Sequence, residues 1–194
     1  MIPEAKNDVL DALQDAILAI KDKRYSDLHA ISDHVLHSIA IYRDASLIDF
    51  TIAVYALDKI LETEKYKNHP KMKAFVKSVL QLLKRAESEI EKDAFEDYSE
   101  TIKEILGNIE GFSKSIKFYI EDILHFARIK KGSKLYEHGL SLGQAAASMD
   151  VTKWELMPVI GETAIHEELT TPKDINEKKI KFLEEAFKTK KKRK

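Results

Sequence analysis

The sequence predicts an all-α protein: a helical bundle of about six helices, followed by a small helix-turn-helix module and a C-terminal helix. Only six Gly and four Pro occur among its 194 residues, and these are the residues that most strongly interrupt helices. Apolar residues recur at the i, i+3, i+4, i+7 spacing of a buried helical face in one segment after another. Strand-like alternation never extends beyond four residues, so the sequence predicts no β-sheet.

The periodicity and the breaks between segments place the bundle helices. Ser26 is the predicted N-cap of the second helix. The third helix is apolar on most sides, which is typical of the central helix of a bundle. Gly107 and Gly111 are predicted to bracket the end of the fifth helix. We predict helices over about 4–22, from 26 to a break near 43–46, and over 46–65, 70–92, 94–108 and 112–130.

The predicted helices become shorter after Gly132, where long helices give way to short helices with tight turns. We therefore predict a helical bundle domain over 1–130 and a helix-turn-helix module over 131–171. A third segment, 172–194, is predicted to be a C-terminal helix with a disordered basic tail.

Composition excludes several classes of function. The chain has no Cys, which excludes disulfides, thiolate zinc sites and cysteine nucleophiles. It also has no glycine-rich phosphate loop, no Gly-x-Ser-x-Gly and no His-Glu-x-x-His. We expect no enzymatic activity and no cofactor. The first residues lack a signal-peptide pattern and no apolar run reaches about 20 residues, so we expect a cytoplasmic protein without a membrane partner.

Charge is distributed unevenly along the chain. Residues 1–126 hold 17 basic and 23 acidic side chains, whereas residues 172–194 hold 10 basic and 4 acidic ones. An acidic body repels nucleic acid, so any contact with DNA or RNA is expected from the C-terminal third. The cationic tail residues are its candidate contacts: Lys190, Lys191, Lys192, Arg193 and Lys194. A tail that only aids solubility, or one that touches a membrane surface, is the alternative.

Two capping boxes define the helix-turn-helix. Ser141 with Gln144 and Thr152 with Glu155 each have the spacing of a capping residue and its reciprocal partner. They lie eleven residues apart around a turn at Asp150, where the motif usually has Gly and where Asp is tolerated. Three further features complete the predicted motif, namely a small Ala146 at the helix crossing and inward-facing Leu156 and Val159 on the second helix.

Two stretches of the module carry a resemblance to a known family. They are Gly132-Ser133-Lys134-Leu135-Tyr136 through Ser141-Leu142-Gly143-Gln144-Ala145-Ala146, and Thr152-Lys153-Trp154-Glu155-Leu156. Their pattern resembles that of small antitoxin-like helix-turn-helix proteins of archaea and bacteria. The resemblance covers roughly 35 residues. It implies a regulatory or partner-binding role for the module and says nothing about the 130 residues before it.

The outer face of the second motif helix departs from a typical DNA-reading face. It is predicted to present Thr152, Lys153, Trp154, Met157 and Pro158, with one cation and no Arg, Asn or Gln for base contacts. Pro158 is expected to kink or shorten the helix. An exposed Trp and Met favour protein contact. Nucleic-acid or partner binding is therefore assigned to this face together with Lys134.

Two sets of polar residues in the bundle are further candidate functional sites. His34 and His37 are i, i+3 neighbours that can reach one metal ion, but nearby carboxylates do not complete a ligand set, so no metal site is predicted. The other group is Asp49 and Asp58 on the apolar third helix, beside Tyr42 and Tyr55. Because a buried carboxylate needs a partner, Arg43 or Lys59 is expected to provide one.

We therefore expect a non-enzymatic regulator that contacts nucleic acid through its C-terminal module and whose bundle forms a homo-oligomer or binds a partner. Two alternatives stay open. One is a protein-interaction adaptor or antitoxin-like partner that uses the Trp154/Met157 face. The other is a bundle that senses a small molecule or metal near His34, His37 and Asp49.

Overall fold

The computed structural model describes residues 3–42, 47–115 and 123–167. These residues are almost entirely helical, which confirms the all-α prediction. The helices are α1 (Pro3–Lys21), α2 (Asp27–Tyr42), α3 (Ile48–Glu62), α4 (Glu64–Lys67), α5 (Met72–Glu91), α6 (Phe95–Ser115), α7 (Ile123–Glu137), α8 (Leu142–Ser148) and α9 (Lys153–Glu167).

Helix α3 lies at the centre of the bundle, as its apolar sequence predicts. Twelve of its fifteen residues are buried, and α2, α6 and α7 all pack against it. Further bundle contacts join α1 to α2 and α5, and α5 to α6. Between α5 and α6, the rings of Phe75 and Phe112 stack with their centroids 4.3 Å apart, and the Asn108 amide donates a hydrogen bond to Ser78 Oγ at 2.9 Å.

Four helices end in the same way, with one residue in the left-handed region after the last turn. These residues are Lys23, Asp93, Gly139 and Asp150, with φ between 53° and 92°. At the end of α7, the Leu140 N–H donates to the Leu135 carbonyl at 3.2 Å and the Gly139 N–H donates to the Tyr136 carbonyl at 2.9 Å. This pair of bonds is the Schellman motif. It allows an abrupt change of direction between helices and so keeps the connections short.

The glycines of α6 do not end it. The helix continues through Gly107 and Gly111 to Ser115, so the predicted helix end near residue 108 is wrong. Glycine in a helix interior costs only about 1 kcal/mol relative to Ala. The apolar face that includes Ile105, Ile109 and Phe112 is buried throughout, and this burial outweighs that cost.

Helix α7 also differs from its prediction. Residues 112–115 continue α6 and do not begin a new helix, and α7 (Ile123–Glu137) extends past the predicted end at 130; residues 116–122 lie outside the described residues. Residue 130, the predicted domain boundary, therefore lies inside a continuous helix. Helix α7 packs on α2 and α3 of the bundle and also on α8 and α9, so one helix belongs to both parts of the fold. None of the described helices is both long and apolar enough to span a bilayer.

Candidate functional site

The first capping box of the module forms as predicted. The Gln144 N–H donates to Ser141 Oγ at 3.3 Å, and the Ser141 N–H donates to Gln144 Oε1 at 3.0 Å. Two N–H groups that the helix cannot satisfy internally are thereby paired. Helix α8 consequently begins at a fixed point, one residue after Ser141.

The second capping box fixes the start of α9. The Glu155 N–H donates to Thr152 Oγ1 at 3.2 Å, while the Thr152 N–H and hydroxyl donate to Glu155 Oε2 at 2.7 and 2.6 Å. Hydrogen bonds from the Thr152 hydroxyl and N–H lower the pKa of the Glu155 carboxyl, and nearby His125 lowers it further. The carboxylate therefore stays charged at the N-terminus of α9, where the helix dipole favours negative charge.

The turn between the two helices is left-handed at Asp150, with φ of 53°, as the motif requires. Arg128 of α7 forms hydrogen bonds with this turn. Its Nη1 donates to the Met149 carbonyl at 3.2 Å and to Asp150 Oδ2 at 3.3 Å. The turn is thus attached to α7 through both backbone and side chain, a contact that the sequence analysis did not identify.

The interior of the module is closed by α7 as well as by the two motif helices. Ala146 and Leu156 are buried as predicted, and Val159 is partly buried. Gly132, whose packing role the sequence did not indicate, lies within α7 and faces α9. A Cβ on Gly132 would lie 3.1 Å from Leu156 Cδ1, tighter than ordinary contact. The absence of a side chain at this position therefore lets α7 and α9 approach closely.

The residues of the module that were assigned to binding are exposed. Trp154 is 81% exposed and Met157 is 49% exposed, while Thr152, Lys153 and Lys134 are also exposed. Helix α9 continues past Pro158 to Glu167, so the expected shortening at Pro158 is wrong. The apolar contacts of α9 with the module on both sides of the proline maintain the helix there.

The charge of this face is mixed. Lys153 is the cation at the start of α9, but the exposed carboxylates of Asp150 and Glu155 lie two or three residues away along the chain. Each of these carboxylates has a basic neighbour: Arg128 for Asp150 and His125, at 3.3 Å, for Glu155. The face is therefore not a basic surface of the kind that phosphate contacts require.

A buried lysine joins the module to the bundle. Lys131 of α7 is 1% exposed, and its Nζ donates to Asp33 Oδ1 at 2.6 Å and to Ser32 Oγ at 2.7 Å. The same nitrogen lies 4.4 Å from the centroid of the Tyr55 ring. Burial lowers the pKa of the Lys131 ammonium, and the hydrogen bond and charge of Asp33 oppose that shift in part. The three helices α2, α3 and α7 therefore meet at one charged contact.

Asp58 lies beside this contact and is fully buried on α3. Its Oδ2 is 2.9 Å from Lys59 Nζ and 3.4 Å from His29 Nδ1. Lys59 was expected to be an ion-pair partner of the acidic residues of this helix, and this expectation is confirmed for Asp58. The other expected partner, Arg43, lies outside the described residues.

His34 and His37 are exposed on α2, and neither forms an ion pair with a carboxylate of the described residues. The His37 ring instead lies 5.1 Å from that of His138. Within the described residues no three His, Asp or Glu side chains come together in a group that could hold a metal ion. A histidine of α2 that does contact carboxylates is His29, whose Nε2 is 3.6 Å from Asp33 Oδ2; its i, i+4 spacing to Asp33 was the available sequence signal.

The tail residues Lys190, Lys191, Lys192, Arg193 and Lys194, and the predicted C-terminal helix, lie outside the described residues. Comparisons of the chain with protein-family models, with curated proteins and with solved structures give no match.

Proposed function

We propose that the protein is a non-enzymatic regulatory adaptor whose helix-turn-helix module binds a protein partner through the face of α9 that carries Trp154 and Met157. The observation that carries the proposal is the exposure of Trp154 at the start of a rigidly capped helix. Tryptophan is the residue type most enriched among the side chains that dominate binding energy at protein interfaces.

The surroundings of Trp154 support a protein partner. Met157 lies three residues further on and therefore on the same side of the helix, so the two form one apolar patch. The mixed charges of Lys153, Asp150 and Glu155 form a polar rim of the kind that surrounds such patches. Because α9 is held by its cap, by Gly132 and by the turn contacts, little conformational entropy is lost when the patch binds.

The chain contains a single Trp, so its intrinsic fluorescence reports directly on this face. A partner that covers the patch shifts the emission to shorter wavelength. We expect Trp154→Phe to remove the signal and Met157→Ala to weaken binding of the same partner. Leu18→Ala is the matched control, because Leu18 on α1 is also 49% exposed. Equal recovery of the partner from host extract by the wild type and a Trp154→Ala variant would contradict the proposal.

Nucleic-acid binding by the module is the second candidate, and the three-helix arrangement of α7, α8 and α9 favours it. In DNA-binding proteins with this arrangement, the second motif helix enters the major groove. Lys134, Thr152 and Lys153 are the contacts available on the described surface, and the basic tail would add affinity. Titration with duplex DNA separates the candidates. Binding that falls steeply with added salt and is lost in Lys153→Glu, but survives Met157→Ala, supports the nucleic-acid function.

A further inference from the structure

A groove on the bundle combines an apolar floor with a rim of lysines. It has a volume of about 760 Å³ and lies along α5, with contributions from the end of α3, from α4 and from the α1–α2 connection. Its apolar lining comes from Tyr25, Leu61, Met72, Val76 and Leu80. None of the described residues that line the groove is acidic, although residues 1–126 as a whole are acidic.

Five lysines surround this floor: Lys23, Lys67, Lys73, Lys77 and Lys84. Within the described part of the chain, only Lys67 has a carboxylate close by, that of Glu64. Some cations elsewhere on the bundle are paired, as in Lys6 with Asp93 and Arg85 with Glu89 and Glu104. The groove therefore concentrates positive charge that the described residues do not neutralise.

The arrangement along α5 sets the shape of a matching ligand. Lys73, Lys77 and Lys84 alternate with Val76 and Leu80 on one helical face. From Lys73 to Lys84 the helix rises about 16 Å, which is the length of about three helical turns. A ligand that is complementary to this face of α5 needs several negative charges spread over that length, together with apolar groups between them.

We propose that the groove binds an acidic amphipathic helix of a protein partner. Such a helix presents apolar side chains at i, i+3 or i+4 and i+7 to an apolar groove, and its flanking carboxylates meet the lysine rim. A fatty acid has one charged group and leaves most of the lysines unpaired. Single-stranded nucleic acid has repeated charges, but it requires aromatic side chains on which its bases stack, and Tyr25 is the single aromatic residue in the lining. This surface is separate from the Trp154/Met157 face and does not depend on it.

The test uses a fluorescein-labelled peptide of about three helical turns, with Leu at the i, i+3, i+4 and i+7 positions and Glu at the flanking ones. We expect saturable, micromolar binding to the full-length protein, measured by fluorescence anisotropy. A peptide with Gln in place of every Glu, and one with Ser in place of every Leu, should each bind much more weakly, because each lacks one half of the complementarity.

Protein variants then locate the site. Lys73→Gln with Lys77→Gln should weaken the peptide about fivefold, since exposed ion pairs contribute little individually. The pair Lys92→Gln and Lys103→Gln changes the net charge equally on exposed residues that do not line the groove, and should leave binding unchanged. Leu80→Glu should abolish binding, with helix content checked by circular dichroism. No saturable binding, equal binding of the Gln peptide, or binding of oleate or single-stranded RNA in place of the acidic peptide would overturn the proposal.

Discussion

The contact between Lys131 and Asp33 should be one of the strongest energetic links between the module and the bundle. We consider three variants of the full-length protein: Asp33→Asn, Lys131→Met and the double substitution. Asn keeps the shape of Asp and one oxygen acceptor but removes the charge. Met keeps most of the aliphatic stem of Lys and removes the ammonium group. The cycle therefore isolates the charged interaction from the packing around it.

The magnitudes follow from the different burial of the two partners. In Asp33→Asn the ammonium of Lys131, 1% exposed, loses its anion and retains only the Ser32 hydroxyl and the Tyr55 ring. Breaking a buried pair in this way costs about 3–5 kcal/mol, and we expect about 3 kcal/mol because Asn still accepts a hydrogen bond. Lys131→Met leaves a carboxylate whose side chain is 31% exposed and can be hydrated, so the expected loss is about 1.5 kcal/mol.

In the Lys131→Met background, Asp33→Asn should then cost almost nothing, because the interaction is already absent. The expected coupling energy is about 3 kcal/mol, the size observed for residues that share one contact network. Urea unfolding followed by circular dichroism measures all four free energies of unfolding. A coupling energy below about 0.5 kcal/mol would mean that the two residues act independently, and the proposed link between α7 and α2 would be wrong.

The remaining predictions concern pH and two glycines. Because burial lowers the folded-state pKa of Lys131 below its ordinary value of 10.5, the unfolded chain binds more protons in the interval between the two pKa values. The free energy of unfolding should therefore rise with pH across that interval in the wild type relative to Lys131→Met, and parallel pH profiles would contradict this. Gly139→Ala should destabilise by about 1–2 kcal/mol because φ is 92° there. Gly107→Ala, inside α6 with nothing within 4 Å of the new Cβ, should stabilise by up to about 1 kcal/mol. In thermal unfolding, a higher midpoint for Gly139→Ala or a lower one for Gly107→Ala would refute the corresponding prediction.

Much of the module could be predicted from the sequence because its determinants are local. A capping box requires only two side chains three residues apart, so Ser141 with Gln144 and Thr152 with Glu155 could be identified without any tertiary information. The left-handed turn at Asp150 depends on the backbone preferences of one residue. The apolar character of α3 is likewise a property of a single segment, and it predicted the central position that the helix occupies.

The extent of the helices was less predictable, since two influences compete at each end. Gly107 and Gly111 weaken a helix locally, but the burial of Ile105, Ile109 and Phe112 outweighs them. The same competition between a local interruption and burial applies to α9, which continues through Pro158. In both cases the sequence shows the residue that interrupts a helix, while the packing that compensates comes from other helices.

The sequence by itself determined that this chain is helical, and its local patterns predicted the two capping boxes and the exposure of Trp154. Only the tertiary structure decided that α7 belongs to both the bundle and the module. The reason is that Lys131 and Asp33 lie 98 residues apart along the chain, so neither residue reveals its partner locally. The lysine-rimmed groove has the same origin, because helix packing alone brings Lys23 and Lys67 beside the lysines of α5.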